Sequence, residues 1–251
     1  MKKTFFTFTF LFALLVSALA QVPSKAELYK IGNRIFDSWN FEEDITYTVS
    51  IIDEKPNKPK KAAQFKAFER HKTNQKTFLQ IAPEVDKGMG YLQDHDNAWT
   101  YDPNTRQFEH FSLKQNVGDS NMKLSDVGNK ETFSDRYEIL SASEAMLGKI
   151  PVYRIETKPI YKDAEYAKEI LFVNQKAEVL LKVEQYGASA RLMRTILMAK
   201  YVNFGKTKIP IHQIIINNIV PGEKTTVILS DYNTTKIPDV VFTKAYLEKV
   251  N

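Results

Sequence analysis

Residues 88–111 read "GMGYLQDHDNAWTYDPNTRQFEHF". The runs 88–93, 97–102 and 107–111 are each bounded by Gly, Pro, Asn or Asp, which predicts short strands joined by tight turns. Met89 and Tyr91 share parity in the first run, and Trp99 and Tyr101 share parity in the second. Each pair therefore faces one side of a sheet. The triplet Asp94-His95-Asp96 falls between the first two strands. Asp, Asn and His tolerate the turn conformations a hairpin needs. Adjacent strand residues point to opposite faces, so the triplet does not converge on one ion unless the turn curls round it. None of the other histidines, His71, His110 and His212, stands four residues from His95. A catalytic zinc normally takes three protein ligands. The stretch reads as a solvated hairpin turn, with no metal.

The same period extends upstream. Ile45, Tyr47, Val49 and Ile51 alternate with Thr46, Thr48 and Ser50. "KPNKPKK" (55–61) is a lysine-rich turn, and strands follow at 63–68 and 77–83. Phe65 with Ala67, or Leu79 with Ile81, can share the aromatic face. Downstream, the polar segment 112–133 breaks the pattern and predicts a long loop or short helix. Strands resume at 152–159, 166–174, 178–186, 192–204, 209–217 and 224–233. A short C-terminal element begins at Pro238, where a first helical turn tolerates proline. The sum is about eleven strands joined mostly by short turns, hence antiparallel pairing. One large curved sheet, partly closed into a barrel, fits this mainly β (α+β) pattern better than a parallel α/β fold.

A helix precedes the strands. In "SKAELYKIGNRIFDSW" (24–39), Ser24 and Glu27 form a capping box. Leu28, Ile31, Ile35 and Trp39 fall on one face, with Phe36 beside them. Before it, Lys2 and Lys3 lead into "TFFTFTFLFALLVSALA" (4–20), which ends in the small-x-small pattern Ala18-Leu19-Ala20. This is the pattern of a secretory signal peptide cleaved after Ala20. It predicts a mature domain at 21–251 in the periplasm, without the cysteine that a lipid anchor requires.

The chain has no cysteine, which excludes thiolate zinc sites and cysteine nucleophiles. Its net charge of +5 falls to +3 without Lys2 and Lys3. For an exported protein this does not point to nucleic acid. There is no G-x-S-x-G elbow, no H-E-x-x-H and no Gly-rich phosphate loop, so nothing signals an enzyme or a cofactor. What remains is apolar lining: Leu28, Ile31 and Ile35 on the helix, and Tyr47, Val49, Phe65, Leu79, Ile81, Met89, Tyr91, Trp99 and Tyr101 on strands. Taken alone, these residues suit either an ordinary core beneath the helix or the wall of a ligand cavity.

"APEVDKGMGYLQDHDNAWTYDPNTRQFEHF" (82–111) resembles the signature of the LolA-like outer-membrane lipoprotein-sorting family. The resemblance rests on Pro83, Lys87-Gly88, Gly90-Tyr91-Leu92, Trp99, Tyr101 and Pro103. It continues, in the family's order, through "SASEAMLGKIPVYRIETKP" (141–159), "YAKEILFVNQKAEVLLKVEQYG" (166–187) and "KIPDVVFTKAYLEKV" (236–250). One segment departs: 118–127 lacks the family's aromatics and keeps only Asp126 and Val127 at its end. The resemblance implies an unclosed β-barrel covered by the N-terminal helix and short helices. It also implies that the apolar residues above line a cavity for lipoprotein acyl chains or related lipid. The expected protein is a monomeric, non-enzymatic periplasmic carrier between an inner-membrane exporter and an outer-membrane acceptor. The other reading is an accessory module of a transporter or envelope complex that carries no lipid.

Overall fold

A computed structural model describes residues 22–38, 40–127, 131–161, 164–205 and 207–250. The predicted signal peptide and Trp39 lie outside these residues. The strands are β1 (Ile45–Glu54), β2 (Lys61–Arg70), β3 (Gln75–Ala82), β4 (Gly90–Asp94), β5 (Asn97–Asp102), β6 (Gln107–His110), β7 (Tyr137–Leu147), β8 (Ile150–Pro159), β9 (Lys168–Asn174), β10 (Leu180–Tyr186), β11 (Leu192–Phe204), β12 (Thr207–Asn217) and β13 (Lys224–Thr234). All thirteen form one antiparallel sheet in the order β6-β5-β4-β3-β2-β1-β13-β12-β11-β10-β9-β8-β7. Two meanders therefore meet at the β1/β13 seam, and the edge strands β6 and β7 leave the barrel unclosed.

The sheet holds more strands than the sequence pattern gives, because β7 escapes it. Tyr137 and Ile139 face inward, but a register shift between Ile139 and Ser141 moves the inward position to Ala142. Such a bulge breaks the period of two. Ser141, Ser143 and Glu144 interrupt the apolar signal, and Leu140 and Met146 are exposed.

Helix α1 (Lys25–Asp37) lies on the inner face. Ser24 caps it by accepting from the Glu27 N–H at 3.2 Å. Glu27 does not reach back as in a capping box. Its carboxylate pairs with Lys30 at 3.4 Å and Arg34 at 3.7 Å. Arg34 in turn donates to both Glu178 oxygens at 3.0 Å, tying α1 to the β9–β10 turn. Leu28, Ile31 and Ile35 are buried, each contributing about 1.5–3 kcal/mol by leaving water. The one-turn helix α2 (Phe133–Arg136) packs on α1 at Gly32, where a Cβ would stand 2.4 Å from the Phe133 ring.

The segment between β6 and α2 crosses the inner face from one sheet edge toward the other. Val117, Met122 and Leu124 bury themselves in the main core. The Tyr91 hydroxyl accepts from the Gly118 N–H at 2.9 Å, and the Thr225 hydroxyl accepts from the Asn121 N–H at 2.8 Å. On the outer face a 3-10 turn (Asp239–Phe242) and helix α3 (Lys244–Lys249) cover β2 to β5. Thr77 donates to the Val241 carbonyl at 2.8 Å there. Leu247 fills the space over Gly90, where a Cβ would meet it at 2.6 Å.

Candidate functional site

Several inward positions that a simple core would fill with apolar groups carry polar ones. Lys76 is in phase with Phe78 on β3, Glu169 with Leu171 on β9, Gln185 with Val183 on β10, and Arg194 with Ile196 on β11. Together with Gln93 of β4 they line a cleft of about 680 Å³ beneath Phe36 of α1. The cleft adjoins a smaller, mainly apolar pocket of about 90 Å³ bounded by Phe41, Ile45, Tyr47, Val227, Leu229 and Tyr232. Asp126, Val127, Pro210 and Gln213 border both spaces.

Most charges in this wall are paired. Arg194 is buried and grips Asp126 with both terminal guanidinium nitrogens, one at 2.8 Å. It also donates to the Asn121 carbonyl at 2.8 Å and to Gln185 at 3.2 Å. Lys123 meets Glu165 at 2.6 Å. Arg136 meets Glu131 at 2.7 Å and stacks 4.0 Å over the Tyr161 ring. The Lys76 ammonium donates to the Val127 carbonyl at 2.9 Å, and burial pulls its pKa down. Burial pushes the Glu169 carboxyl up to about 7, against hydrogen bonds from the Tyr137 hydroxyl at 3.1 Å and Gln185 at 3.4 Å. In the adjoining pocket Tyr47 donates to the buried Glu69 carboxylate, which stands 3.3 Å from His71. Burial holds His71 below its usual pKa.

The structure redistributes the apolar residues expected to form one lining. Leu28, Ile31, Ile35, Val49, Phe65 and Tyr91 share the main core on the inner face, and of the expected set Tyr47 borders the small pocket. Trp99, Tyr101 and Leu79 instead join Leu92 and Leu247 on the outer face, under α3. The expectation that they share a side with Tyr91 is corrected by register. Trp99 pairs across from Leu92, whereas Tyr91 pairs with Thr100 and Phe78. Ile81, in phase with Leu79, is exposed, and Met89 sits half-buried in the turn before β4. Asp94-His95-Asp96 forms the β4–β5 turn. His95 has φ +56° and its ring stands 2.9 Å from the Asp94 carboxylate, at the rim of the cleft. Among the described residues no group of three or more metal-ligating side chains is gathered. Lys76, Gln93, Glu169, Gln185 and Arg194 were missed by sequence reasoning, although a polar residue in phase with inward apolar neighbours was the available signal.

An unclosed antiparallel barrel with α1, α2 and a crossing segment on its inner face is a LolA-like fold. A LolA superfamily protein from Nitrosomonas europaea superposes with a TM-score of 0.72 at 21% identity, over 90% of this chain and 100% of that one. A DUF1329 family protein from Desulfovibrio piger gives 0.78 at 18%, over 88% and 98%. A putative outer membrane lipoprotein-sorting protein domain from Vibrio parahaemolyticus gives 0.74 at 18%, over 88% and 98%. The chain belongs to the family whose model, described as "Uncharacterized protein", matches residues 72–249. A search of curated proteins returns no match. No helix among the described residues is long and apolar enough to cross a membrane.

Proposed function

We propose that this chain is a periplasmic carrier or binding protein for the acyl chains of lipoproteins or related amphiphiles, passing them between an inner-membrane exporter and an outer-membrane acceptor. The observation that carries the reading is the cleft of about 680 Å³ beside an apolar pocket inside an unclosed barrel. A core meant only for stability would fill that volume, since voids in close-packed interiors are costly. The fold, shared with a putative lipoprotein-sorting domain, supports the same reading. The physical need is plain. Each methylene left in water costs about 0.8 kcal/mol, so an acyl chain requires cover to cross an aqueous compartment. Cover and release involve no covalent step.

The test is mass spectrometry of lipid extracted from protein purified out of cells, followed by titration of the delipidated protein with a lipopeptide. The carrier reading expects co-purifying amphiphile and saturable uptake. Folded protein with neither leaves the accessory module that carries no lipid.

A further inference from the structure

The carrier reading leaves open what polar group the cleft accepts, and the wall is informative on that point. Five cationic and five acidic side chains line it, so the cleft carries little net charge. Three of the cations are held by carboxylates across the space: Arg194 by Asp126, Lys123 by Glu165, and Arg136 by Glu131. An anionic headgroup seeking any of these three would have to displace a carboxylate already in place. A buried charge left without its partner is strongly unfavourable.

Neutral amide groups are treated differently by the same wall. Arg194 donates to the Asn121 carbonyl at 2.8 Å and Lys76 to the Val127 carbonyl at 2.9 Å, so donors on two separate strands already engage peptide oxygens. Two wall atoms are buried with no hydrogen-bond partner among the described residues, Gln93 Oε1 and Arg194 Nε. The Gln93 amide is oriented by its Nε2, which donates to the His95 carbonyl at 3.0 Å, so its oxygen is the atom left over. Buried polar groups in native structures are almost always satisfied, and an exception calls for an explanation. One orphan is an acceptor and the other a donor. An amide supplies one group of each kind, an N–H and a C=O.

Resting on the carrier reading, we infer that the cleft selects amphiphiles whose polar group is a neutral amide, with Gln93 as the specificity-determining residue and Arg194 as its donor counterpart. The hydrocarbon chain then runs toward the apolar pocket beside Tyr47 and Tyr232. Free fatty acids and phosphate-headed lipids are disfavoured.

Isothermal titration of the delipidated protein with probes that share one chain length decides the matter. The probes are N-ethyl decanamide, ethyl decanoate, decanoate and decyl phosphate. The amide should bind roughly tenfold tighter than the ester, the worth of one well-made hydrogen bond, and the two anions should bind more weakly than the ester. Gln93→Met should bring amide and ester to equal affinity. Equal affinity for amide and ester in the wild type, or tightest binding by either anion, overturns the headgroup inference while the carrier reading survives. Failure of every probe to bind folded protein removes both. The wild-type series is decisive even if the Gln93 variant does not fold.

Discussion

Glu169 gives the fold a pH dependence that can be isolated. Its carboxyl is fully buried on the inner face and has a folded-state pKa of about 7 against an ordinary value of 4.5. The native state therefore holds a proton that the unfolded state has released between those values. Stability from this group is fully present below about pH 4.5 and declines as pH rises through 7. A shift of about 2.5 units at 1.36 kcal/mol per unit makes the decline about 3 kcal/mol. Glu169→Gln keeps the shape and both hydrogen-bond neighbours, Tyr137 and Gln185, but cannot ionise. Urea denaturation of both proteins from pH 4 to pH 8 should show their difference in stability changing by about 3 kcal/mol in favour of Gln. His71 opposes the trend. Burial lowers its pKa, so its stabilisation is lost as pH falls through the window below 6.5. His71 is common to both proteins and cancels in the difference. A stability difference that stays constant across this range would refute the assignment of a protonated Glu169.

Arg194→Met should destabilise by about 3–5 kcal/mol, because Asp126 loses its buried partner. Limited proteolysis should then cut within 118–127 first, and an unchanged cleavage pattern would show that Arg194 does not hold this segment. Gly90→Ala puts a methyl 2.6 Å from Leu247 and should cost about 1–3 kcal/mol of unfolding free energy. Pairing it with Leu247→Ala should cost less than the sum of the single changes, and simple additivity would show that the two do not touch. Trp99→Phe should leave ligand affinity unchanged, since Trp99 lies on the outer face with the Lys244 ammonium 4.5 Å from its ring centroid. A loss of binding on titration would return Trp99 to the site. Mass analysis of exported protein should give a chain beginning at Gln21, and a chain retaining Lys2 would refute the leader reading.

Local pattern made much of this architecture legible. The β1 alternation and the Leu28–Ile31–Ile35 stripe each answer to one period, and Ser24 caps its helix as its spacing suggests. Parity alone could not say which face Trp99 takes, because each strand restarts the count. The turn settles that. With His95 and Asp96 as a two-residue connection, Asp94 pairs with Asn97 and Gln93 with Ala98. Tyr91 and Trp99 must then point to opposite sides. The cleft was hidden for another reason. Reading only the apolar members of each alternation discards Lys76, Gln93, Glu169 and Arg194, whose inward phase becomes conspicuous when both chemical types are counted. The reach of Arg194 to Asp126 joins positions far apart in the chain, which no local pattern encodes.

The β1/β13 seam has a consequence for how the chain reaches this state. Ile45 pairs with Thr234 and Glu54 with Lys224, so the middle of the sheet joins the first strand synthesised to the last. Each meander can assemble from neighbouring hairpins, but their junction must wait for nearly the whole polypeptide. Pairings of such large sequence separation are slow to form. Until β13 arrives, β1 is an open edge whose inward residues Ile45, Tyr47, Val49 and Ile51 are bare on one side. That intermediate is the species most exposed to misassembly with a second copy. Holding factors that act during biogenesis would find their strongest grip there. A circular permutant that joins the end of α3 to the start of α1 keeps both helices, brings β13 and β1 close in sequence and would shorten the life of that intermediate.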